Sequence, residues 1–185
     1  MVYDGIIVGK TVKLRSADLD DAEITYKWRT DPQKTAYIHK NSGTVEDQRN
    51  YLRSQREKPG DYLFIIEDLQ GNPIGMKGVY NYDPENKTVE TGRFIGYGSQ
   101  VQNIEALKLS FDFAFDVLHV NQINMAALEN NSVMLSIQEK FGVKYSHKEL
   151  VPDLNQYNLC SVLSKEDYYS SKGKIEMLIE RFANR

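Results

Sequence analysis

From Ile104 the apolar residues Leu107, Phe111, Ala114, Phe115 and Leu118 follow at intervals of three, four, three, one and three, which is one face of a helix. Upstream the pattern is different. Residues 62–67, 73–82 and 88–95 are rich in β-branched and aromatic side chains, with Gly71-Asn72 as a hairpin turn and Asp83-Pro-Glu-Asn86 between the last two blocks, so they predict three successive antiparallel strands. A short strand at residues 11–14 leads into a helix over about 20–29 that Asp31-Pro32 stops. Thr44 and Asp47 have capping-box spacing and open a second helix, which runs to about residue 57 before Pro59-Gly60. Downstream, residues 121–128 suit a buried strand and 131–141 a short helix ended by Gly142. Residues 143–146 and 158–163 suit a strand pair, and about 165–182 a surface helix that tolerates Gly173. Strand, helix and strand across 88–128 form a βαβ unit, so the strands at Glu90 and Ile123 should run parallel through a right-handed crossover.

No linker, repeat or low-complexity stretch interrupts the 185 residues, which predicts one domain over 1–185. The 41% hydrophobic and 26% charged composition is that of an ordinary globular chain, and a net charge of −3 supplies no basic field for nucleic acid. Any anion must therefore be bound locally. No apolar run approaches the roughly 18 residues of a membrane span, and no charged segment followed by an apolar one opens the chain, so a cytoplasmic protein with no membrane partner is expected. The single Cys160, between the strand neighbours Leu159 and Val162, reads as a strand residue. Three scattered histidines without a Cys-x-x-Cys pair predict no metal site.

Three segments carry a resemblance, in the right order. Residues 90–98, Glu-Thr-Gly-Arg-Phe-Ile-Gly-Tyr-Gly, precede a polar turn and a helix with Glu105-Ala-Leu107 near its start. Asn131-Ser-Val-Met-Leu-Ser-Ile-Gln-Glu-Lys-Phe-Gly-Val143 forms the later strand-to-helix block, and Lys27-Trp-Arg-Thr-Asp-Pro32 lies at the front. Together they resemble the GNAT acetyltransferases, whose pattern reads Arg/Gln-x-x-Gly-x-Gly/Ala, then Glu-Ala-Leu, then Asn-x-x-Ala-x-x-Leu-Tyr-Glu-Lys-x-Gly-Phe. The front block is similar to the Trp-Arg-x-Asp-Pro of the ribosomal-protein and nucleotide-amino-sugar branches. The resemblance spans about residues 9–164. It implies a mixed α/β (α+β) fold: a central, largely antiparallel mixed sheet of six to seven strands, helices on both faces and a C-terminal helix.

It also implies acetyl-coenzyme A as co-substrate, no metal, and direct transfer of the acetyl group to the primary amine of a small molecule. The first N–H groups of a helix lack intrahelical partners and lie at the positive end of its dipole, so they can receive a pyrophosphate without many lysines. On the family pattern these are Gln100, Val101, Gln102, Asn103 and Ile104, with Val101 and Asn103 standing where glycines are usual. Phe94, Ile95 and Gly96 would supply the backbone N–H for the thioester carbonyl, and Asn131 would bond the pantetheine arm as well as cap its helix.

Gln138 stands where the family often has a tyrosine acid. A thiolate is a fair leaving group (thiol pKa about 8.5), so an amide hydrogen bond or a water can serve, with Tyr97 and Tyr145 as other donors. The acceptor amine must lose a proton, and Glu90 is the carboxylate the resemblance offers, with His39 as rival base or substrate contact. Arg29, Arg93 and Tyr80, the last sharing a strand face with Tyr82, are candidate acceptor contacts. An amino-sugar nucleotide is the expected acceptor, a protein N-terminal amine the runner-up, and a non-catalytic ligand-binding protein the alternative of another class. The terminal helix and strand pair offer surface for a homodimer.

Overall fold

A computed structural model describes residues 1–37 and 43–183. Its sheet has eight strands: β1 (Ile7–Val8), β2 (Val12–Ser16), β3 (Tyr62–Asp68), β4 (Pro73–Asp83), β5 (Thr88–Gly96), β6 (Gln122–Leu128), β7 (Lys144–Val151) and β8 (Gln156–Ser164), in the spatial order β1-β2-β3-β4-β5-β6-β8-β7. Every pairing is antiparallel except β5 with β6, where Val89 lies against Ile123 as the βαβ pattern requires. The two-residue β1, which pairs with β2, is the strand that its short length hid from the sequence pattern. The expected mixed α/β architecture with its C-terminal helix is met.

Helices α1 (Ala22–Thr30), α2 (Val45–Glu57), α3 (Gln100–Asp112), α4 (Ser132–Lys140) and α5 (Lys165–Ala183) complete the fold. Strand β3 shows why both faces are covered: Tyr62, Phe64 and Ile66 enter a core with α3 and α5 residues, while Leu63 and Ile65 enter a second core with Ala22, Trp28 and Leu52 of α1 and α2. Thr44 and Asp47 close the capping box read from their spacing, and Gly142 ends α4 at φ +83°. The terminal helix is not a mere surface helix, because Tyr168, Ile175 and Ile179 are buried. Helix α3 starts at Gln100, ahead of its apolar periodicity, because Ser99 caps it, and it widens into a π-helical turn over Phe113–Val117. No helix among the described residues is long and apolar enough to cross a membrane.

Candidate active site

Strands β5 and β6 pair only from Thr88 with Gln122 to Thr91 with Met125, and then diverge. The far half of β5 continues along β4 and the far half of β6 along β8, so a wedge opens between them. Its local cause is a bulge in β5. Gly92 lies opposite Gly78 and Ile95 opposite Met76, so Arg93 and Phe94 together face Lys77. Arg93 adopts φ +52°, a left-handed conformation that needs support in a non-glycine residue. Asp61 supplies it, accepting from both guanidinium nitrogens at 2.6 and 3.0 Å, with the guanidinium 4.2 Å from the Tyr80 ring centroid. The result is a cleft of about 1120 Å³ in which the edge of residues 92–96 lacks a strand partner on the β6 side.

The N-terminus of α3 borders this cleft through Asn103. Ser99 Oγ accepts from the Gln102 amide and Gln102 Oε1 from the Ser99 amide, so two of the end groups are satisfied within the chain. Among the described residues the amides of Gln100 and Val101 have no acceptor. Neither Val101 nor Asn103 has positive φ, so the missing glycines leave no strain: the family positions fall inside a regular first turn. Asn103 instead fills the loop. Its amide donates to the Gly98 carbonyl at 3.1 Å, and a Cβ on Gly96 would lie 2.2 Å from its Oδ1, which is why position 96 is glycine. Glu105, of the Glu-Ala-Leu match, is a structural clamp, buried and accepting from the Lys10 and Thr11 amides and the Thr11 hydroxyl. The Ile104 side chain packs in the core, 2% exposed.

The sheet presents two chemically distinct faces to the cleft. Val79 and Val89 belong to the α3-side core, so Tyr80 and Glu90, directly opposed across β4 and β5, point to the α1/α2 side. Glu90 has no hydrogen-bond partner among the described residues, and burial raises the Tyr80 phenol pKa, with Glu90 as the second cause. Arg29 lines the same side with its guanidinium 5.7 Å from the Tyr51 ring centroid, and its buried Nε has no partner among the described residues. Among the described residues no ion pair joins Arg29 to Asp31, and Trp28 stacks on Tyr97. On the α3/α4 side lie Gln138, whose buried Oε1 has no partner among the described residues, and Thr91, whose Oγ1 is likewise unpartnered among them.

Lys77 joins them there and was missed from sequence, although a lysine inside Ile74-Gly-Met-Lys-Gly-Val79 was a visible break in an apolar strand. It is 4% exposed, 6.0 Å from the Phe111 ring centroid, and has no ion pair among the described residues, and burial brings its pKa down to about 7.

The cleft therefore gathers Arg29, Tyr80, Glu90, Arg93, Phe94, Ile95, Gly96, Asn103, Asn131 and Gln138 from the expected set. Asn131 caps α4 by accepting from the Met134 amide. The other acid candidates are not among the cleft residues: Tyr97 donates to Asp31, and Tyr145 to the Leu135 carbonyl at 3.3 Å. His39 lies outside the described residues. The set suits a thioester co-substrate: a helix first turn with two unfilled amides borders the cleft through Asn103, an unpaired strand edge runs along the wedge, and the Glu90 carboxylate lines it.

The acetyltransferase (GNAT) domain family matches residues 11–144. Among solved structures, a nucleotide-linked sugar GNAT, FdhC in its apo form, superposes with a TM-score of 0.80 at 21% identity, covering 93% of this chain and 97% of its own. A GCN5-related N-acetyltransferase from Brucella melitensis gives 0.81 at 16% identity, covering 96% and 86%. Spermidine N-acetyltransferase from Vibrio cholerae, in complex with CoA and spermine, gives 0.80 at 13%, covering 87% and 99%. No curated protein matches the sequence at a significant level. A wedge beside a capped helix and a family match over most of the chain define an acyltransferase of the acetyl-transferring class. The chain belongs to the GNAT acetyltransferase family.

Proposed function

We infer that the protein is an acetyl-coenzyme A-dependent N-acetyltransferase working by direct transfer in a ternary complex, with an amino-sugar nucleotide as acceptor. The observation that carries the reading is the β5–β6 wedge with the first turn of α3 at its border through Asn103: the strand edge suits a thioester arm, and the open Gln100 and Val101 amides of that turn suit a pyrophosphate. The co-substrate supplies an activated acyl carbon. The strand edge near Phe94–Gly96 donates a backbone N–H to the acyl oxygen, where charge develops during attack. Glu90, directly or through a water, takes the proton the amine loses as its nitrogen bonds to that carbon. The carbon–sulfur bond breaks with its electrons on sulfur, and the Gln138 amide stabilises the thiolate by a hydrogen bond until it is protonated.

The unpartnered Arg29 Nε supports an anionic acceptor over a polyamine, since a polycation would set a second positive charge against that guanidinium. Two measurements test this. Acetyl-CoA and free coenzyme A should raise the unfolding midpoint by mass action, and no shift at millimolar ligand sinks the enzyme reading. Thiol release should then appear with amino-sugar nucleotides. Turnover confined to Ala- or Ser-starting peptides, or to polyamines, overturns the acceptor.

A further inference from the structure

On the α1/α2 side of the sheet, β8 places Cys160 opposite Ala126 of β6 and opposite His147 of β7. Glu149 lies two residues along β7 from His147 and so shares its face. The sequence separates Cys160 from Glu149 and His147 by 11 and 13 residues and hides the group, whereas the strand register brings their ligand atoms within 4.8 Å of one another. All three line the cleft. We propose that His147, Glu149 and Cys160 hold a divalent transition metal of the zinc class at the acceptor-side rim, with a fourth coordination position open to the cleft.

The geometry suits that ion. Bonds of about 2.3 Å to sulfur and about 2.0–2.2 Å to nitrogen or oxygen put the ligand atoms of a tetrahedral zinc roughly 3.3–3.6 Å apart. Cys160 Sγ is already 3.6 Å from Glu149 Oε2, so only the His147 ring needs to close in. A thiolate, an imidazole and a carboxylate form a borderline set that suits zinc better than magnesium or calcium, which prefer all-oxygen sites. One thiolate and one carboxylate also balance the dication.

The support around the histidine points the same way. Ser146 Oγ donates to the Cys160 carbonyl at 3.1 Å, which turns a lone pair toward His147 Nδ1, 3.0 Å away. Nδ1 then carries the ring proton, and Nε2 is left with its lone pair for a metal. The Cys160 thiol donates to Glu149 in the metal-free protein. On binding, its S–H bond breaks, the proton leaves to solvent and the sulfur coordinates as thiolate.

The site stands independently of the acyl-transfer reading, and so does its test. Tag-free full-length chain stripped with a chelator is titrated with Zn²⁺ by calorimetry and with Co²⁺ by absorption. One-to-one binding at low micromolar or tighter affinity is expected, with a thiolate-to-cobalt charge-transfer band in the near ultraviolet. C160S should abolish the band, and C160S and H147A should each weaken Zn²⁺ binding about a hundredfold or more, beyond the roughly tenfold expected for the supporting S146A. Wild-type binding no tighter than millimolar, or C160S and H147A binding like the wild type, overturns the proposal. His147 is exposed, so H147A keeps the test alive if C160S fails to fold, with circular dichroism as the check.

Discussion

Where the sheet borders the cleft, Arg93 on the α1/α2 face is matched to Asp61 by two hydrogen bonds, whereas on the α3/α4 face Lys77 is buried with no ion pair, and Thr91 Oγ1 and Gln138 Oε1 with no partner, among the described residues. A compensated charge defines a shape before any ligand arrives. An uncompensated buried polar group is a desolvation cost that a ligand can relieve. The first face thus holds the bulge that opens the wedge, and the second carries the groups whose hydrogen bonding is incomplete until something binds. Glu90 and Arg29 are the exceptions on the paired face, and they are the groups assigned to the acceptor.

The strongest way to sharpen this contrast is E90Q, which keeps the shape and removes the proton acceptor. A general base contributes roughly 10²- to 10⁴-fold, so kcat should fall by that range while the thermal shift with coenzyme A stays as in the wild type. An unchanged rate would show that the proton leaves through water without Glu90. Next comes D61L, which strands Arg93 in its bulge. Loss of one partner of a largely buried pair should lower stability by about 3 kcal/mol in urea unfolding, and D61L/R93M should recover much of it. If the single variant is no worse than the double, the pair does not hold the bulge.

The sequence period made α3 legible, because its apolar face is set by local spacing, and the Thr44–Asp47 cap was legible for the same reason. The wedge was not, since it depends on where the β5–β6 ladder stops and on a left-handed Arg93 that no local pattern signals. Val101 and Asn103 read as damaged glycine positions because the pattern was laid on the loop; Ser99 starts the helix early enough to put both in α conformation. Glu105 read as part of a cofactor motif and is a buried clamp on the entry to β2. The His147, Glu149 and Cys160 group needed the β7–β8 register, which slips between Tyr145 and His147.

Lys77 can break the contrast from the other face. Its folded pKa, down to about 7, lies well below the roughly 10.4 of an unfolded lysine. Below about pH 7 the side chain is charged in both states and the burial penalty is complete. As pH rises from there toward 10 the native protein sheds the proton while the unfolded chain keeps it, so native stability grows. Lys77→Met removes the group. It should stabilise the protein by about 2 kcal/mol at pH 6, with the gain shrinking toward zero by pH 10 in denaturant titrations. A gain that is flat with pH would mean that the lysine is not a buried, unpaired cation.

The smallest effect belongs to the helix end that serves the proposed pyrophosphate. S99A removes an N-cap hydroxyl worth about 1 kcal/mol, which for a chain of this size lowers the midpoint by roughly 2–4 °C. It also frees the Gln102 amide, adding a donor to the two already open at Gln100 and Val101. If amide supply set the affinity, coenzyme A would bind more tightly. Because the capping box also fixes the loop through the Ser99 amide on Gln102, the loss of order should win, and coenzyme A should bind a few-fold more weakly by calorimetry. Tighter binding in S99A would show that the first turn is limited by the number of its donors rather than by their preorganisation.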